Sequence, residues 1–231
     1  MDYFSLEKLE LYLPVCELLQ VRSGILLVSE GVKNSCLFNQ IAVTEDKYNL
    51  MDVLPFLEEM GGDISLYNDE SSLLKREFEL ELKYLNALVN SSVSTTSFDV
   101  NETERLKILL KELGLSWKIK EPFNFSYLPG VVERRRNIYV ARDEETVQKL
   151  SLAHGDDYLF GRLLGYPPSA VDAYVNKNFY ETTFISFFNW FRFSNNNYLE
   201  ERKLVDLWEK TVSDKSPDLK SKIDFFMKLN E

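Results

Sequence analysis

The chain of 231 residues contains one histidine and two cysteines, and these shortages limit the chemistry available to it. Because His154 is the only histidine, no histidine pair can bind a metal ion within one chain. Cys16 and Cys36 lie far apart in the sequence, and two reduced thiols explain them more simply than a structural disulfide does. We therefore expect no metal, no cofactor and a cytoplasmic location.

Long apolar runs and excess positive charge are also missing. No window of about 18 apolar residues suggests a membrane span, and the first residues show no basic region followed by an apolar run, so we expect no secretory signal. The net charge of −10, from 27 lysines and arginines against 37 acidic residues, repels nucleic-acid phosphates and anionic lipids. We expect no membrane association, and nucleic-acid binding is disfavoured.

The residues that are present indicate a folded globular protein, with 45% hydrophobic and 28% charged residues. Strand-like segments interspersed with helical ones predict an α+β fold: a small mixed sheet with flanking helices and an all-helical C-terminal region. We predict an N-terminal α/β lobe of hairpin, helix and strand over 1–90, a polar linker over 91–98, and a mainly helical lobe with two strands over 99–231. The two lobes form a single domain if they share one sheet.

The apolar patterns predict individual elements in both lobes. In the first lobe we predict a hairpin of strands 24–29 and 36–43, a helix around 50–57, a strand over 63–67 and a helix over 70–89. In the second lobe, Asp99 and Asp143 are predicted helix caps. The other predictions there are strands over 115–120 and 137–141 joined by a long loop, an aromatic-rich helix over 178–193, and helices over 198–212 and 217–229.

The segment 161–174 specifies a helix, a stiff corner and a second helix. Gly161, Gly165 and Val171 have the spacing of a DNA-binding helix-turn-helix, in which small side chains let two helices approach and glycine supplies the turn. The second helix carries Asp172 where a DNA reader usually has a basic or amide side chain. A packed structural corner is the alternative interpretation.

Leu164-Gly-Tyr-Pro167 also resembles a motif of a family of uncharacterised prokaryotic proteins, in which Leu-Gly-Tyr-Pro is followed by a variable residue and a cysteine pair. The resemblance covers about 138–176. It implies a cytoplasmic prokaryotic protein with a domain of unknown function and no established activity. Ser169 and Ala170 stand at the cysteine positions here, so any thiol or metal chemistry of those cysteines is absent.

Two groups of polar residues are candidate sites. His154, with Asp156 and Asp157 nearby, is a candidate general base, although aspartates at these positions also cap a following helix. Arg134, Arg135 and Arg136 form the one dense cationic run, and guanidinium groups at a strand edge bind phosphate or carboxylate. We name these three arginines and Tyr166 as ligand-binding candidates for a small anionic ligand; the arginines can equally pair with the protein's own carboxylates.

The region 180–208 is rich in aromatic residues. Tyr180, Phe184, Phe187, Phe188 and Phe191 recur at helical spacing, which is typical of a buried helix and alternatively of an interface with a protein partner or a second copy of the chain. A non-catalytic binding or protein-interaction module is therefore the leading hypothesis. An enzyme or small-anion-binding protein using the arginines and His154 is the second, and a helix-turn-helix regulator the third.

Overall fold

The computed structural model describes residues 9, 11, 13, 15–42, 98–128, 131–153, 155–179, 186–188 and 190–229. The elements predicted within 43–97, and the predicted linker apart from Phe98, lie outside the described residues. Seven helices and four strands occur in the described part of the chain: α1 (Val15–Ser29), β1 (Ser35–Ile41), α2 (Val100–Glu112), β2 (Ser116–Ile119), β3 (Phe123–Leu128), β4 (Val131–Ala141), α3 (Glu144–Leu152), α4 (Asp157–Leu163), α5 (Pro168–Val175), α6 (Tyr198–Lys215) and α7 (Pro217–Leu229).

The α+β class is confirmed, and the sheet is organised around the long strand β4. β1 pairs along one side of β4, while β2 and β3 pair in succession along its other side. Every pairing among the described strands is antiparallel, rather than the mixed arrangement that we expected. For β3 and β4 the short connection explains this, since neighbouring parallel strands require a crossover of a dozen or more residues.

The two predicted lobes contribute to the same sheet. β1 comes from the first lobe and pairs with β4 of the second over seven residue pairs, from Ser35 opposite Ala141 to Ile41 opposite Arg135. The described parts of both lobes therefore share one sheet, which is the condition stated above for a single domain.

Side chains of β4 alternate between two hydrophobic layers. Ile138 and Val140 belong to the main core, which they share with α1, α2, α6 and α7. Tyr139 and Ala141 face a smaller cluster that includes Val147 of α3. This alternation follows from the two-residue period of a strand, and it places the sheet between two layers of helices.

Helix α1 corrects the prediction of a strand at 24–29. Residues 24–29 are the last turn and a half of one helix, and the predicted hairpin with 36–43 is a helix followed by the strand β1. All residues from Val21 to Val28 are buried, so the helix shows no polar face that would reveal its period. A short apolar run of this kind does not distinguish a strand from a fully buried helix.

The aromatic segment corrects a second prediction. Among the described residues of 178–193, Phe179 forms an isolated bridge with Ser194, and residues 186–188 and 190–193 are not helical. Phe188 and Phe193 enter the core from this irregular segment, where each ring takes a different direction. Aromatic residues lose side-chain freedom in a helix, so tertiary packing readily overrides a helical spacing of rings.

Several local predictions are confirmed. The Asp99 side chain accepts hydrogen bonds from the backbone N–H groups of Asn101 and Glu102, and Asp143 caps α3 through Thr146. Strands occur at 116–119 and 137–141, and helices at 198–215 and 217–229. These predictions succeeded because capping groups and amphipathic patterns act within a few residues of sequence.

Candidate functional site

The loop between α1 and β1 turns a lysine into the interior. Gly31 ends the helix with a positive φ of 76°, a conformation that glycine adopts without a steric penalty. The Leu27 oxygen then accepts hydrogen bonds from the N–H groups of both Val32 and Lys33. This closure holds Lys33 beneath the end of α1, where it is only 4% exposed.

The corner after α4 packs directly on this loop. Gly165 has a φ of 81°, and a Cβ added to it would lie 3.1 Å from the backbone nitrogen of Asn34. The Lys33 Nζ donates a hydrogen bond of 2.6 Å to the Leu164 oxygen, and the Ser35 Oγ donates one of 2.8 Å to the Leu163 oxygen. Both acceptors are carbonyls at the C-terminal end of α4, where positive charge and hydrogen-bond donors are favoured.

Three aromatic rings surround the Lys33 amine. Its Nζ lies 4.5 Å from the ring centroid of Tyr166, 5.0 Å from that of Trp208 and 5.6 Å from that of Trp190. Distances of this size give attractive cation–π contacts when the amine is charged. The rings also contact one another, with 5.4 Å between the centroids of Trp190 and Trp208. We call Lys33 and these three residues the lysine cage.

A cavity of about 480 Å³ opens beside the lysine cage, between α1, β1 and the corner. It is partly open to solvent. Its lining combines apolar and polar residues: Glu17, Gln20, Val21, Gly24, Lys33, Cys36, Leu37, Phe38, Asn39, Leu164, Tyr166 and Trp190. A concave, mostly apolar site with a few converging polar groups is the usual form of a small-molecule site.

Burial changes the acid–base behaviour of three groups in this cavity. It lowers the pKa of Lys33 to about 7, with a smaller opposing effect of the Cys36 thiolate. It raises the pKa of Cys36 to about 12, against the charge of Lys33, and it raises the pKa of Tyr166 to about 12, together with the Cys36 charge. Near neutral pH the site thus contains an amine close to its midpoint, a thiol and a phenol.

Trp190 brings a further polar group to the cavity wall. Its indole Nε1 is buried and has no hydrogen-bond partner among the described residues. The indole of Trp208, in contrast, donates to the Val32 oxygen at 3.3 Å. A buried donor without an acceptor is costly, and because this nitrogen is shielded from solvent, the ring has to turn before the N–H can meet an acceptor atom of a ligand.

A second cavity of about 410 Å³ lies on the other side of the corner. It shares Leu164, Tyr166 and Trp190 with the first cavity, and its lining also includes Asp157 and Arg192. Tyr166, one of our ligand-binding candidates, therefore lines both cavities.

Of the other predicted site residues, Asp157 lines the second cavity together with Tyr166, and the rest do not gather with Tyr166 in the described part of the chain. His154 lies outside the described residues. Asp156 is exposed and caps α4, its side chain accepting a hydrogen bond of 2.9 Å from the Leu159 N–H. This is the capping alternative that the sequence left open. Asp157 lies in the first turn of α4.

The three arginines are not in a loop, as predicted, but within β4, and this corrects their assignment. A hairpin of β3 and β4 occupies most of the predicted loop, with its turn outside the described residues. Arg136 donates to the Gln40 side-chain oxygen and to Thr103, and its guanidinium lies 4.2 Å from the Phe98 ring. None of the arginines is among the described residues that line either large cavity.

The corner is also joined to α6 by a buried carboxylate. Glu201, 2% exposed, accepts hydrogen bonds from the Ser169 Oγ at 2.5 Å and from the N–H and Oγ of Ser194 at 2.7 Å each. Ser169 stands at one of the cysteine positions of the resembling family, and here its hydroxyl serves this contact.

The aromatic region 180–208 is mostly interior where it is described. Phe187, Phe188, Phe193 and Trp208 are buried, and Trp190 is half-buried. The large exposed apolar side chains of this region are Leu199 and Leu207 of α6. An aromatic cluster therefore exists, and it contributes to the core and to the lysine cage.

The sequence patterns did not identify Lys33 as a buried site residue. It stands in the polar run Glu30 to Ser35, which indicated only a hairpin loop. No local pattern marks a loop lysine as buried, because its burial depends on residues more than 130 positions away. Cys36 and Gly24 went unnoticed as lining residues for the same reason.

These described residues form an α+β protein with a lysine-lined cavity between its first helix, its sheet and the 164–168 corner. Comparison with models of known protein families, with curated proteins and with solved structures found no match. No helix in the described segments is long and apolar enough to cross a membrane. Within the same segments, no group of three or more His, Cys, Asp or Glu side chains is placed to hold a metal ion.

Proposed function

We propose that the protein binds a small molecule in the cavity beside the lysine cage. The observation that carries this proposal is the burial of the Lys33 amine in the wall of an open cavity. Burying a lysine opposes its charged form, and a fold that needed only a packed core would place an apolar side chain there. A group with a strongly shifted pKa in a cavity is typical of functional sites.

The lining indicates the chemistry of the ligand. The Lys33 amine is a hydrogen-bond donor, and the Trp190 N–H becomes one once its ring turns toward the cavity, so the ligand has acceptor oxygen atoms, as a carboxylate or carbonyl group does. The rest of the lining combines apolar residues such as Val21 and Phe38 with the polar residues Gln20 and Asn39, so the remainder of the ligand has both apolar and polar groups. This proposal retains the small anionic ligand of the sequence analysis and places it at Lys33 instead of the arginines.

A thermal-shift screen of small carboxylates, phosphorylated metabolites and nucleotides tests the proposal. We expect at least one class of compound to raise the melting temperature of the wild-type chain, since a ligand of the folded state stabilises it. We expect Lys33→Met to abolish the shift and Lys203→Met to retain it. Lys203 is an exposed lysine paired with Glu200, so it controls for the loss of one charge.

A shift of equal size in Lys33→Met would contradict the proposal. If Lys33→Met fails to fold, Trp190→Phe replaces it as the test, because that change removes the N–H donor and keeps most of the ring. We then expect a smaller shift for Trp190→Phe than for wild type, and an unchanged shift would contradict the proposed site.

The other hypotheses stay predictions. A protein partner or homo-oligomer through 180–208 is checked by the mass of the protein in solution and by its change on Leu199→Asp, which alters the most exposed apolar side chain among the described residues of that region. Nucleic-acid binding through α5 is checked by a gel shift, with replacement of the exposed residues Asp172, Tyr174 and Asn176 by alanine as the variant.

A further inference from the structure

We propose that Lys33 acts as a nucleophile and forms a reversible imine with a small aldehyde or 2-oxo acid that enters the cavity. This inference rests on the proposed function and specifies its ligand class. It depends on the position of Lys33, which lines an open cavity of about 480 Å³ although the residue is 4% exposed.

The surroundings of Lys33 favour the reactive form of an amine. Only an unprotonated amine attacks a carbonyl carbon, and a lysine in a desolvated pocket supplies it near neutral pH. Burial has this effect on the pKa of Lys33, which falls to about 7. An ordinary exposed lysine with a pKa of about 10.4 is almost completely protonated at the same pH.

The hydrogen bond to Leu164 leaves the amine free to react. A neutral amine has two N–H donors and one lone pair; one N–H serves the Leu164 oxygen at 2.6 Å, and no other hydrogen bond of Nζ occurs among the described residues. The contact anchors the nitrogen without occupying its lone pair. No acidic side chain forms an ion pair with Lys33 in the described part of the chain, so no carboxylate there offsets the effect of burial on its pKa.

The reaction itself needs no oxidant, reductant or metal. The Lys33 nitrogen forms a bond to the carbonyl carbon while the C=O π bond breaks, and a proton passes from nitrogen to oxygen to give a carbinolamine. The C–O bond then breaks, the oxygen leaves as water with a second proton from nitrogen, and a C=N bond remains. Water of the open cavity carries the protons.

The aromatic rings stabilise the product. A protonated imine retains a positive charge on nitrogen, and the rings of Tyr166, Trp190 and Trp208 lie within 6 Å of that position, where cation–π attraction acts. The Trp190 N–H, which has no partner among the described residues and is shielded from solvent, becomes a donor for a carboxylate oxygen of a 2-oxo acid once the ring turns toward the cavity. A carbonyl compound that also has a carboxylate gains this contact, which a plain aldehyde cannot make.

Reductive trapping with glyoxylate and sodium cyanoborohydride tests the inference. At about pH 8 we expect a carboxymethyl adduct on Lys33, mapped by peptide mass spectrometry, with an initial rate at least about tenfold above that of any exposed lysine. Peptide mapping separates this adduct from one on the chain's α-amino group. We expect the selectivity for Lys33 to disappear when the wild-type chain is unfolded in urea, because burial causes it.

Peptide mapping also separates an adduct on Lys33 from one on the Cys36 thiol, which captures aldehydes too. Two variants control for other routes. Lys33→Met is expected to lose the preferred adduct, while Lys203→Met is expected to retain it. The urea experiment uses wild-type protein alone, so it remains decisive if Lys33→Met does not fold.

The two proposals fail in distinguishable ways. If Lys33 is labelled no faster than the exposed lysines while a carboxylate still gives a Lys33-dependent thermal shift, the imine is overturned and non-covalent binding stands. If neither labelling nor any thermal shift depends on Lys33, both proposals are overturned.

Discussion

Lys33 and Leu164 are 131 residues apart in the sequence, and a hydrogen bond of 2.6 Å joins the amine of one to the main-chain oxygen of the other. This contact attaches the loop after α1 to the end of α4. It also explains the position of the cavity, because the same corner supplies Tyr166 to the cage around the amine. The rigidity of the corner therefore sets the geometry of the proposed site.

The buried amine predicts an unusual pH dependence of stability. The pKa of Lys33 is about 7 in the folded chain and has its ordinary value of 10.5 when unfolded. Between these values the unfolded chain holds a proton that the folded chain has lost, so stability rises with pH. We expect a gain of about 2 kcal/mol in the free energy of unfolding between about pH 7 and pH 9.

Urea unfolding at several pH values measures this gain. Lys33→Met is expected to lose it, and Lys203→Met to keep it. Above about pH 9 the trend weakens, because the raised pKa values of Cys36 and Tyr166 leave protons on the folded chain that the unfolded chain releases. If the free energy of unfolding depends on pH in the same way for wild type and Lys33→Met, the lowered pKa of a buried Lys33 amine is contradicted.

Close packing of α4 on α5 depends on Gly161. A Cβ added there would lie 2.9 Å from the Val171 Cγ2, which is too close without movement of a helix or side chain. We expect Gly161→Ala to lower the free energy of unfolding by about 1–3 kcal/mol, as measured by urea denaturation. In the Val171→Ala background the same change is expected to cost less, and strictly additive effects would argue against this contact.

Gly165 and Gly114 form a matched pair for testing the corner. Both have a positive φ, 81° and 67°, but a Cβ at Gly165 would approach the Asn34 nitrogen, whereas one at Gly114 would have no neighbour within 4 Å. Gly114→Ala is expected to cost about 1 kcal/mol, the penalty of the backbone conformation alone. Gly165→Ala is expected to lower the free energy of unfolding by at least about 1 kcal/mol more than Gly114→Ala does. Thermal unfolding of both variants measures the difference. Equal losses of stability would contradict the close packing of Gly165 on the loop after α1.

We expect Glu201 to contribute more to the stability of the fold than the neighbouring Glu200 does. Its carboxylate is buried and accepts hydrogen bonds from Ser169 and Ser194, so Glu201→Gln places an amide N–H₂ among donors. We expect a loss of about 1–3 kcal/mol. Glu200→Gln removes only an exposed pair with Lys203 and is expected to change stability by less than about 1 kcal/mol. Chemical denaturation of both variants makes the comparison, and similar losses would contradict the buried contact.

The sequence was informative wherever structure depends on neighbouring residues. Asp99 and Asp143 identified the starts of two helices because each side chain bonds to N–H groups two or three positions ahead. The corner was predictable for the same reason: Gly165 allows a left-handed turn and Pro168 begins a helix. The prediction of a strand at 24–29 failed because the helical period of this part of α1 is invisible when all sides are buried.

By itself, the sequence determined the α+β class, the capped helices and the path of the Gly165-Tyr-Pro-Pro168 corner, since these follow from local backbone preferences and from short-range hydrogen bonds. It also identified Tyr166 as a candidate without indicating what lies beside it. Tertiary structure alone decided that Lys33 is buried, that three aromatic rings enclose it and that Cys36 lies in the same cavity. The physical reason is that burial, and with it the pKa of an amine, is set by distant segments that meet only when the chain folds.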